Sequence, residues 1–572
     1  MKGPLLTAVS IMIFWVALQP LPATGTDNQT EGTKSDRKIV HVLNRLTFGP
    51  RPGDIEKVSD MGVEAFISQQ LNPESIPESE AVKAVDLSSE TRRESDEDLL
   101  RIFAAYRSEV NRINRKKELK QLTESPTDKD INNSADKVAD KTSDKGSSKS
   151  ADKATDKTTD KSTNKFTDTL DKTMMSTQAA AAVAPPAPRE STPVIDYFRR
   201  AQRQTTLAKL TRAIEGQRQL EAVMTEFWFN HFNIYSGKEY DGILLGAYET
   251  EAIRPNSLGK FKDLLRATCY HPAMLYYLDN SQNKNSGSVN ENYARELMEL
   301  HTLGVDGGYK QKDVIELARI LTGLTIATHM RTGGLAQVRG LERVGRHGAY
   351  FDKRLHDMGP KILLGHSIES SEGAAEIDQA LDILAKHPST AHHICYQLAQ
   401  YFTADEPPAS LVNRLKARFL SSDGDIKATL KVLFSSSEFW DAKYENNKFK
   451  TPLRYSVSLL RAEGAHIKNG DFILRFLNQQ GQKLYGCLTP DGYKNTKQAW
   501  LDPDALLHRI EFALTVGSGK VPGFEIKPND YKQLEATVGN DTLSTNTIAM
   551  VDKAPKHLKA GAVLGCPELM RY

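Results

Sequence analysis

The sequence predicts a mainly helical protein: one large multi-helical domain with little or no sheet, interrupted by a long disordered insertion. Apolar residues recur at helical spacing in long segments. In 312–324 (KDVIELARILTGL) they follow the i, i+3, i+4, i+7 pattern of one helix face. Alternating patterns typical of strands are scarce. Three prolines follow a residue that can cap a helix, as is typical of a first helical turn: His387-Pro388, Thr451-Pro452 and Asp502-Pro503.

The N-terminal residues have the pattern of an export signal. Lys2 precedes an apolar run, Leu5–Leu18, and small residues follow at 23–25. The run is shorter than the roughly 20 residues of a membrane-spanning helix. We therefore predict a cleaved signal peptide at 1–25, with an uncleaved anchor as the alternative, and a polar leader at 26–37. The protein is expected to be exported, whether periplasmic, outer-envelope or extracellular, with no transmembrane segment in the mature chain.

The helical domain is expected in two parts on either side of the insertion. Its N-terminal part, 38–122, should contain short helices near 54–61 and 63–71. Residues 123–193 repeat Asp-Lys with Thr, Ser and Ala and carry almost no apolar side chains. They cannot bury a core, so this segment is predicted to be disordered. Residues 194–572 form the main part of the same domain.

Three finer expectations concern this main part. A helical pattern runs through Gln202–His231. Ser435 and Glu438 have the spacing of a capping box, which indicates a helix beginning there. The Gly-rich stretch Thr332–Gly348 is a candidate for a small hairpin.

Charge and cysteine content exclude some classes of protein. The net charge of +2 argues against a general nucleic-acid binder, which usually carries a strong basic bias. The widely separated cysteines match no CxxC or zinc pattern. In an exported protein they can form one or two disulfides or remain buried thiols, and the sequence leaves both open: Cys269, Cys395, Cys487 and Cys566.

Several segments are distinctive: HVLNRLTFGPRPGD (41–54), FWFNHFNIYSGK (227–238), HPAMLYYLDN (271–280), NENYARELMELHTLG (290–304), HDMGPKILLG (356–365), KTPLRYSVSLLRA (450–462) and LGCPELMRY (564–572). In this order they resemble the bacterial domain-of-unknown-function family 1800 (DUF1800), across nearly all of the mature chain except the insertion. The resemblance implies a large exported bacterial protein, often encoded beside another exported family of unknown function, 1501. It makes an exported protein of family 1501 a candidate partner. It brings no established reaction, and the cofactor is unknown.

The block 290–304 holds the first candidate site residues. On a helix, Arg295, Glu296 and Glu299 fall on one side, and His301 falls on the apolar side. Glu296 and Glu299 are candidates for paired carboxylates that do acid–base chemistry or bind a cation. The alternative is a solvated face on which Arg295 and Glu299 form an ion pair. His301 is expected to be a core histidine that is hydrogen-bonded to a neighbour.

Three further candidates lie outside that block. His231 ends a helical pattern and precedes a polar turn, so it is a candidate for a pocket rim, unless this segment serves packing alone. His356 and Asp357 lie in a loop and can bind a metal or orient a base, although turn formation explains them equally well. A metal triad on the 290–304 helix alone is disfavoured by the spacing, but Glu296 or Glu299 can combine with His231.

The sequence contains no G-x-S-x-G elbow, P-loop, GxGxxG after a strand, HExxH or CxxCH motif. Two hypotheses follow. The favoured one is a non-catalytic envelope or secretion-associated partner of another exported protein. The alternative is a secreted hydrolase or lyase acting on an envelope or extracellular polymer, with the five candidates facing one cleft: Glu296, Glu299, His231, His356 and Asp357.

Overall fold

The computed structural model describes residues 31–87, 94–123, 192–326, 341–369, 373–527 and 530–572. The predicted signal peptide and nearly all of the predicted insertion lie outside the described residues. Among those that are described, the protein is mainly helical, as predicted.

The helices before the insertion are α1 (Glu31–Leu46), α2 (Asp54–Met61), α3 (Val63–Gln70), α4 (Glu80–Leu87) and α5 (Asp96–Thr123). Those from the insertion to the first sheet are α6 (Pro193–Glu215), α7 (Gln219–His231), α8 (Asp241–Ala247), α9 (Phe261–Cys269), α10 (Pro272–Tyr277), α11 (Asn292–Glu299) and α12 (Gln311–Ile320). A π-helix, Tyr248–Ile253, continues α8. The first helix thus begins inside the expected polar leader.

The remaining helices are α13 (Ala375–Lys386), α14 (Pro388–Phe402), α15 (Ala409–Ser421), α16 (Ile426–Phe434), α17 (Pro452–Ala462), α18 (Asp471–Gln479), α19 (Lys497–Trp500), α20 (Pro503–Gly517), α21 (Tyr531–Val538), α22 (Thr545–Lys553) and α23 (Lys559–Leu564). The described strands are β1 (Leu324–Ile326), β2 (Leu341–Arg343), β3 (Ala349–Asp352), β4 (Lys361–Leu363), β5 (His366–Ile368), β6 (His466–Ile467) and β7 (Phe524–Glu525).

The strands form small antiparallel sheets. One has the order β1-β3-β2, with Leu324 opposite Phe351 and Leu341 opposite Asp352. The other two are the pairs β4-β5 and β6-β7. The hairpin of β2 and β3 confirms the expectation for the Gly-rich stretch in its described part. Residues 332–340 of that stretch are not described.

The three predicted proline starts are confirmed, and each has a capping side chain. His387 Nδ1 accepts from the N–H of Ser389 at 3.1 Å, and Thr451 Oγ1 accepts from Arg454 at 3.3 Å. Asp502 caps α20 in the same way. Proline has no N–H to lose in the first turn, so these starts are well determined by sequence.

One of the finer expectations is wrong, and another is confirmed with a break that it did not include. No helix begins at Ser435, which follows α16 as its C-terminal capping residue, and Glu438 binds Arg414 and Ser410 instead. The pattern Gln202–His231 is broken between α6 and α7. There the guanidinium of Arg461 donates to the carbonyl of Ile214 at 2.9 Å, which satisfies an orphan carbonyl at the end of α6.

The centre of the core is α7, which is buried on nearly every side. Trp228 is fully buried and its Nε1 donates to the carbonyl of Ser257 at 2.9 Å. All four cysteines are buried and free, so the thiol alternative is confirmed and the disulfide alternative is wrong. Within the described ranges, no helix is long and apolar enough to cross a membrane.

Aromatic side chains bring together the two flanks of the insertion. Tyr106 of α5 stacks on Phe198 of α6, with ring centroids 3.7 Å apart and planes at 14°. One turn earlier, Phe103 packs against Tyr240 and Tyr276. The helices on both sides of the insertion therefore share one hydrophobic core.

The backbone groups into two units. The first, Met1–Arg107 with Val194–Tyr572, contains this core and all the sheets described above. The second is Ser108–Pro193. Its described part is mainly the C-terminal half of α5, which carries charged residues along most of its length.

Candidate functional site

A cleft of about 270 Å³ opens where the C-terminal ends of α7 and α11, the middle of α14 and the loop before α19 meet. We call it the polar cleft. Its lining includes Glu226, Phe227, Asn230, His231, Glu299, His393, Gln397, Gln400, Tyr401, Thr451, Gln482, Asp491, Tyr493, Lys494 and Asn495.

Helix α7 reaches the polar cleft with one face and the core with the other. Glu226 and Asn230 are one turn apart, and His231 is the last residue of the helix. On the opposite side, Trp228 and Phe232 are fully buried. The packing of these large side chains fixes the rotation of α7, and therefore the direction of the polar residues.

Two histidines and a glutamine form one hydrogen-bond network in the cleft wall. His231 Nδ1 lies 2.8 Å from Gln397 Oε1, and its Nε2 lies 3.1 Å from the carbonyl oxygen of His301. Gln397 Nε2 lies 3.1 Å from His393 Nε2, which lies 3.1 Å from the carbonyl oxygen of Leu300. Burial lowers the pKa of His231 to about 3, so the ring is neutral and donates only once. If the Gln397 amide is turned over, its NH2 group donates to His231, and the single Nε2–H of His393 is shared between the oxygens of Gln397 and Leu300.

Asn230 holds the loop that forms the opposite wall. Its Nδ2 donates to the carbonyl of Tyr493 at 2.9 Å, and its Oδ1 accepts from the N–H of Tyr493 at 2.7 Å. Gly492 has a φ of +68°, and a Cβ there would lie 2.2 Å from the carbonyl oxygen of Asn230. This close approach requires glycine, and it fixes Asp491 and Tyr493 against α7.

Each carboxylate that lines the polar cleft pairs with a cation. Glu226 lies 2.6 Å from Lys209 Nζ, Glu299 lies 3.3 Å from Arg295, and Asp491 lies 2.7 Å from Lys494. The expected ion pair of Arg295 with Glu299 is present, and Arg295 also pairs with Glu291 at 3.0 Å. Lys209 is shared with a second carboxylate, that of the buried Glu249, at 2.9 Å. The cleft is therefore rich in ionised groups that are already paired.

Glu296 differs from these carboxylates. It is half-buried and has no hydrogen-bond or ion-pair partner within the described part of the chain. Burial raises its pKa, and the neighbouring charges of Glu299 and Asp491 raise it further. Glu296 lies beside the polar cleft and is not part of its lining.

His356 and Asp357 lie in a different part of the fold. His356 Nε2 is 3.3 Å from Glu376, which also binds Lys361 Nζ at 2.7 Å, and all three side chains are buried. Asp357 pairs with Arg319 at 2.8 Å, and this hydrogen bond lowers the pKa of Asp357. These contacts hold the loop of β4 onto α12 and α13. The expectation that all five candidates face one cleft is therefore wrong for His356 and Asp357.

His301 is fully buried, as expected for a core histidine, but its ring nitrogens have no hydrogen-bond partner among the described residues. Burial lowers its pKa well below the ordinary histidine value, and the nearby His231 and His393 act in the same direction. No group of three or more His, Cys, Asp or Glu side chains in the described ranges has the arrangement of a metal site. That includes the combination of His231 with Glu296 or Glu299.

The family model of DUF1800, described as a protein of unknown function, matches residues 41–571, nearly the whole chain. The chain belongs to the DUF1800 family. No curated protein and no solved structure matches it.

Several lining residues of this DUF1800 protein were missed by sequence reasoning. His393, Gln397 and Tyr401 lie at i, i+4 spacing on α14, and that polar row inside an apolar helix was a usable signal. Asp491 had no such signal, because it lies in a loop. It is brought to the cleft by the hydrogen bonds of Asn230 with Tyr493.

Proposed function

We propose that this DUF1800 protein is an exported, envelope- or secretion-associated binding partner of another exported protein, for which an exported protein of family 1501 is the first candidate. The observation that carries the proposal is a group of exposed apolar residues on neighbouring elements, Ile315, Met358 and Ile362, which we call the apolar patch. These side chains are 36%, 44% and 59% exposed.

The elements under the apolar patch are tied together by charged contacts. Arg319 of α12 pairs with Asp357, the residue before Met358, and donates to the carbonyl of Pro360 at 3.2 Å. Glu316 accepts from the N–H of Ile362 at 2.8 Å. Apolar side chains on a surface fixed in this way lose little freedom on binding, which favours association with another protein.

The chemistry of the polar cleft supports a binding role. No serine or cysteine is among the residues that line it, and Thr451 Oγ1 accepts the capping hydrogen bond of α17. His231 is a poor base, because burial lowers its pKa to about 3. The serine or cysteine nucleophile with an adjacent base that acyl transfer requires is thus not present in this lining.

The double variant Met358→Glu/Ile362→Glu is expected to lose co-purification with a co-expressed exported protein of family 1501, by about tenfold or more. Two charges placed in an apolar contact lose the burial energy of both side chains and add desolvation. The matched control is Leu420→Glu, on an exposed position of α15, which should leave the complex unchanged. Absence of co-purification of the unaltered protein in mild salt would contradict the proposal, as would equal capture by both variants.

A hydrolase or lyase acting on an envelope polymer is the second candidate, and Glu296 is the observation that favours it. A carboxyl group with a raised pKa beside ionised carboxylates has the arrangement of a general acid. In this case the protein should release soluble fragments from isolated envelope polymer, and activity should fall with rising pH as Glu296 loses its proton.

Glu296→Gln should then lower the rate of fragment release by about a hundredfold. The control is Glu291→Gln, which removes an ion-pair partner of Arg295 at the N-terminal end of α11 and should retain activity. Release that is equally fast in both variants would rule out this acid, and no release by the unaltered protein would rule out the second candidate.

A further inference from the structure

We propose that the polar cleft binds one uncharged, hydroxyl-rich unit of a glycan chain. This site lies apart from the apolar patch, and the inference goes beyond the proposed protein–protein role. It rests on the pairing of charges in the cleft, on the hydrogen-bonding groups left over, and on the aromatic rings that line it.

Charged ligands gain little in the polar cleft. The three lining carboxylates are paired with Lys209, Arg295 and Lys494 at 2.6, 3.3 and 2.7 Å. A cationic ligand would have to compete with these side chains, and an anionic ligand would meet the carboxylates.

The histidines add no charge either. Burial lowers the pKa of both His231 and His393, so both rings are neutral near pH 7. Their nitrogens that face Gln397 are occupied by its amide. Every charged side chain of the lining therefore already has a partner of opposite charge, which favours a neutral ligand.

Donors and acceptors remain uncommitted in this lining. Gln400 donates to a backbone carbonyl through Nε2, which leaves Oε1, and Gln482 accepts from a backbone N–H, which leaves its NH2 group. The hydroxyl of Tyr401 accepts from a guanidinium and keeps its own proton for donation. Within the described ranges, the side-chain amide of Asn495 has no hydrogen bond. Hydroxyl groups both donate and accept, so they match this mixture.

Aromatic rings complete the site. Phe227, Tyr401 and Tyr493 line the same cleft, and Phe227 and Tyr401 pack edge to face with centroids 5.2 Å apart. A sugar ring has an apolar face that packs on such rings and hydroxyls that reach the amides at their edges. The volume of about 270 Å³ is small for a ligand pocket and suits one unit of a chain.

A neutral peptide fits these features less well. Extended peptides are recognised by free backbone groups of a strand edge and by apolar pockets for alternate side chains. The free groups in the polar cleft are side-chain amides and a hydroxyl, and its backbone at Tyr493 is already bonded to Asn230.

The test is calorimetric titration of the full-length protein with hexamers that differ in charge. We expect at least one of cellohexaose, maltohexaose and chitohexaose to bind with a Kd below about 1 mM. The glucosamine hexamer, which is chitohexaose without its acetyl groups and is cationic, and the anionic hexagalacturonate should each bind about tenfold more weakly. A blocked, uncharged serine–glycine peptide should not bind.

Gln400→Leu and Asn495→Leu should each raise the Kd of the neutral hexamer about tenfold, since each variant removes a hydrogen bond to the ligand. Gln379→Leu, at a half-buried glutamine of α13 outside the cleft, is the matched control and should bind normally. The proposal is overturned if no neutral hexamer binds, if a charged hexamer or the peptide binds more tightly, or if the cleft variants bind as the control does. None of these outcomes depends on the partner protein, so failure here leaves the proposed function standing.

Discussion

Replacing Arg454 with methionine is expected to lower the free energy of unfolding by about 4 kcal/mol. Arg454 is buried in α17, and its Nη2 donates to the carbonyls of Asn44, Arg45 and Thr47 at 2.8, 3.0 and 2.8 Å. These carbonyls lie at the C-terminal end of α1, where no helical partner exists. Each buried carbonyl that loses its donor costs about 1 kcal/mol or more.

A stacking contact adds to the expected effect. The guanidinium of Arg454 lies 4.1 Å from the centroid of the buried Tyr572 ring. Methionine keeps most of the apolar length of the side chain, so the loss reports mainly on the guanidinium and not on a cavity. The stability of Arg454→Lys should lie between those of the unaltered protein and Arg454→Met, because an ammonium cannot present the planar fork of a guanidinium.

The measurement is urea unfolding followed by circular dichroism at neutral pH. The control is Arg37→Met, which breaks an exposed ion pair with Glu445 at 2.7 Å and should change the free energy of unfolding by less than about 1 kcal/mol. If Arg454→Met is no less stable than this control, the carbonyl cluster does not hold α1 in place.

Acid is expected to unfold the protein between about pH 5 and pH 4. Burial lowers the pKa of His41, His231 and His271 to about 3, and it lowers that of His301 as well. The unfolded chain binds these protons near the ordinary pKa of about 6.5. Between the two values the unfolded state holds more protons, so stability is present above pH 6.5 and falls as the pH falls.

The slope of this loss follows from linkage. Each such histidine removes about 1.4 kcal/mol per pH unit, and one buried carboxyl acts in the opposite direction. Burial raises the pKa of Asp241, so its contribution to stability grows as the pH falls towards its unfolded value. The net loss is therefore roughly 4 kcal/mol per pH unit, against a total stability of about 5–15 kcal/mol.

His301→Phe tests this reasoning at one site. Neither ring nitrogen has a partner among the described residues. Phenylalanine therefore removes the group that takes up a proton without removing a hydrogen bond. Urea unfolding at a series of pH values should show a slope shallower by about 1.4 kcal/mol per pH unit. His392→Asn, at an exposed position of α14, should leave the slope unchanged. An unchanged slope in His301→Phe would show that this histidine does not govern acid unfolding.

Local sequence rules predicted the helices well where the local chain decides the outcome. Proline after a capping residue is such a case, and α14, α17 and α20 all begin as expected. The break between α6 and α7 was not predicted, although Gly216 is a local signal for it; one contact there, from Arg461 to a backbone carbonyl, comes from a residue distant in sequence. No periodicity in Gln202–His231 could reveal that contact.

The candidate site was predicted in part, for a related reason. His231 and Glu299 reach the polar cleft because helical geometry fixes which residues share a side. His356 and Asp357 do not reach the polar cleft. Their position could not be predicted, because a loop sequence is equally consistent with a site and with a structural role. The partners that decide between them, Glu376 and Arg319, are not recognisable from the loop itself.

The stacked rings of Tyr106 and Phe198 have a consequence for the evolution of the chain. They join the two flanks of the insertion within one core, so the closure of that gap does not depend on what lies between. For a flexible connection, each doubling of length costs only about 0.6 kcal/mol. The chain can therefore lengthen, shorten or acquire a foreign domain at this seam with little thermodynamic penalty. The same change inside α7 would disrupt the core.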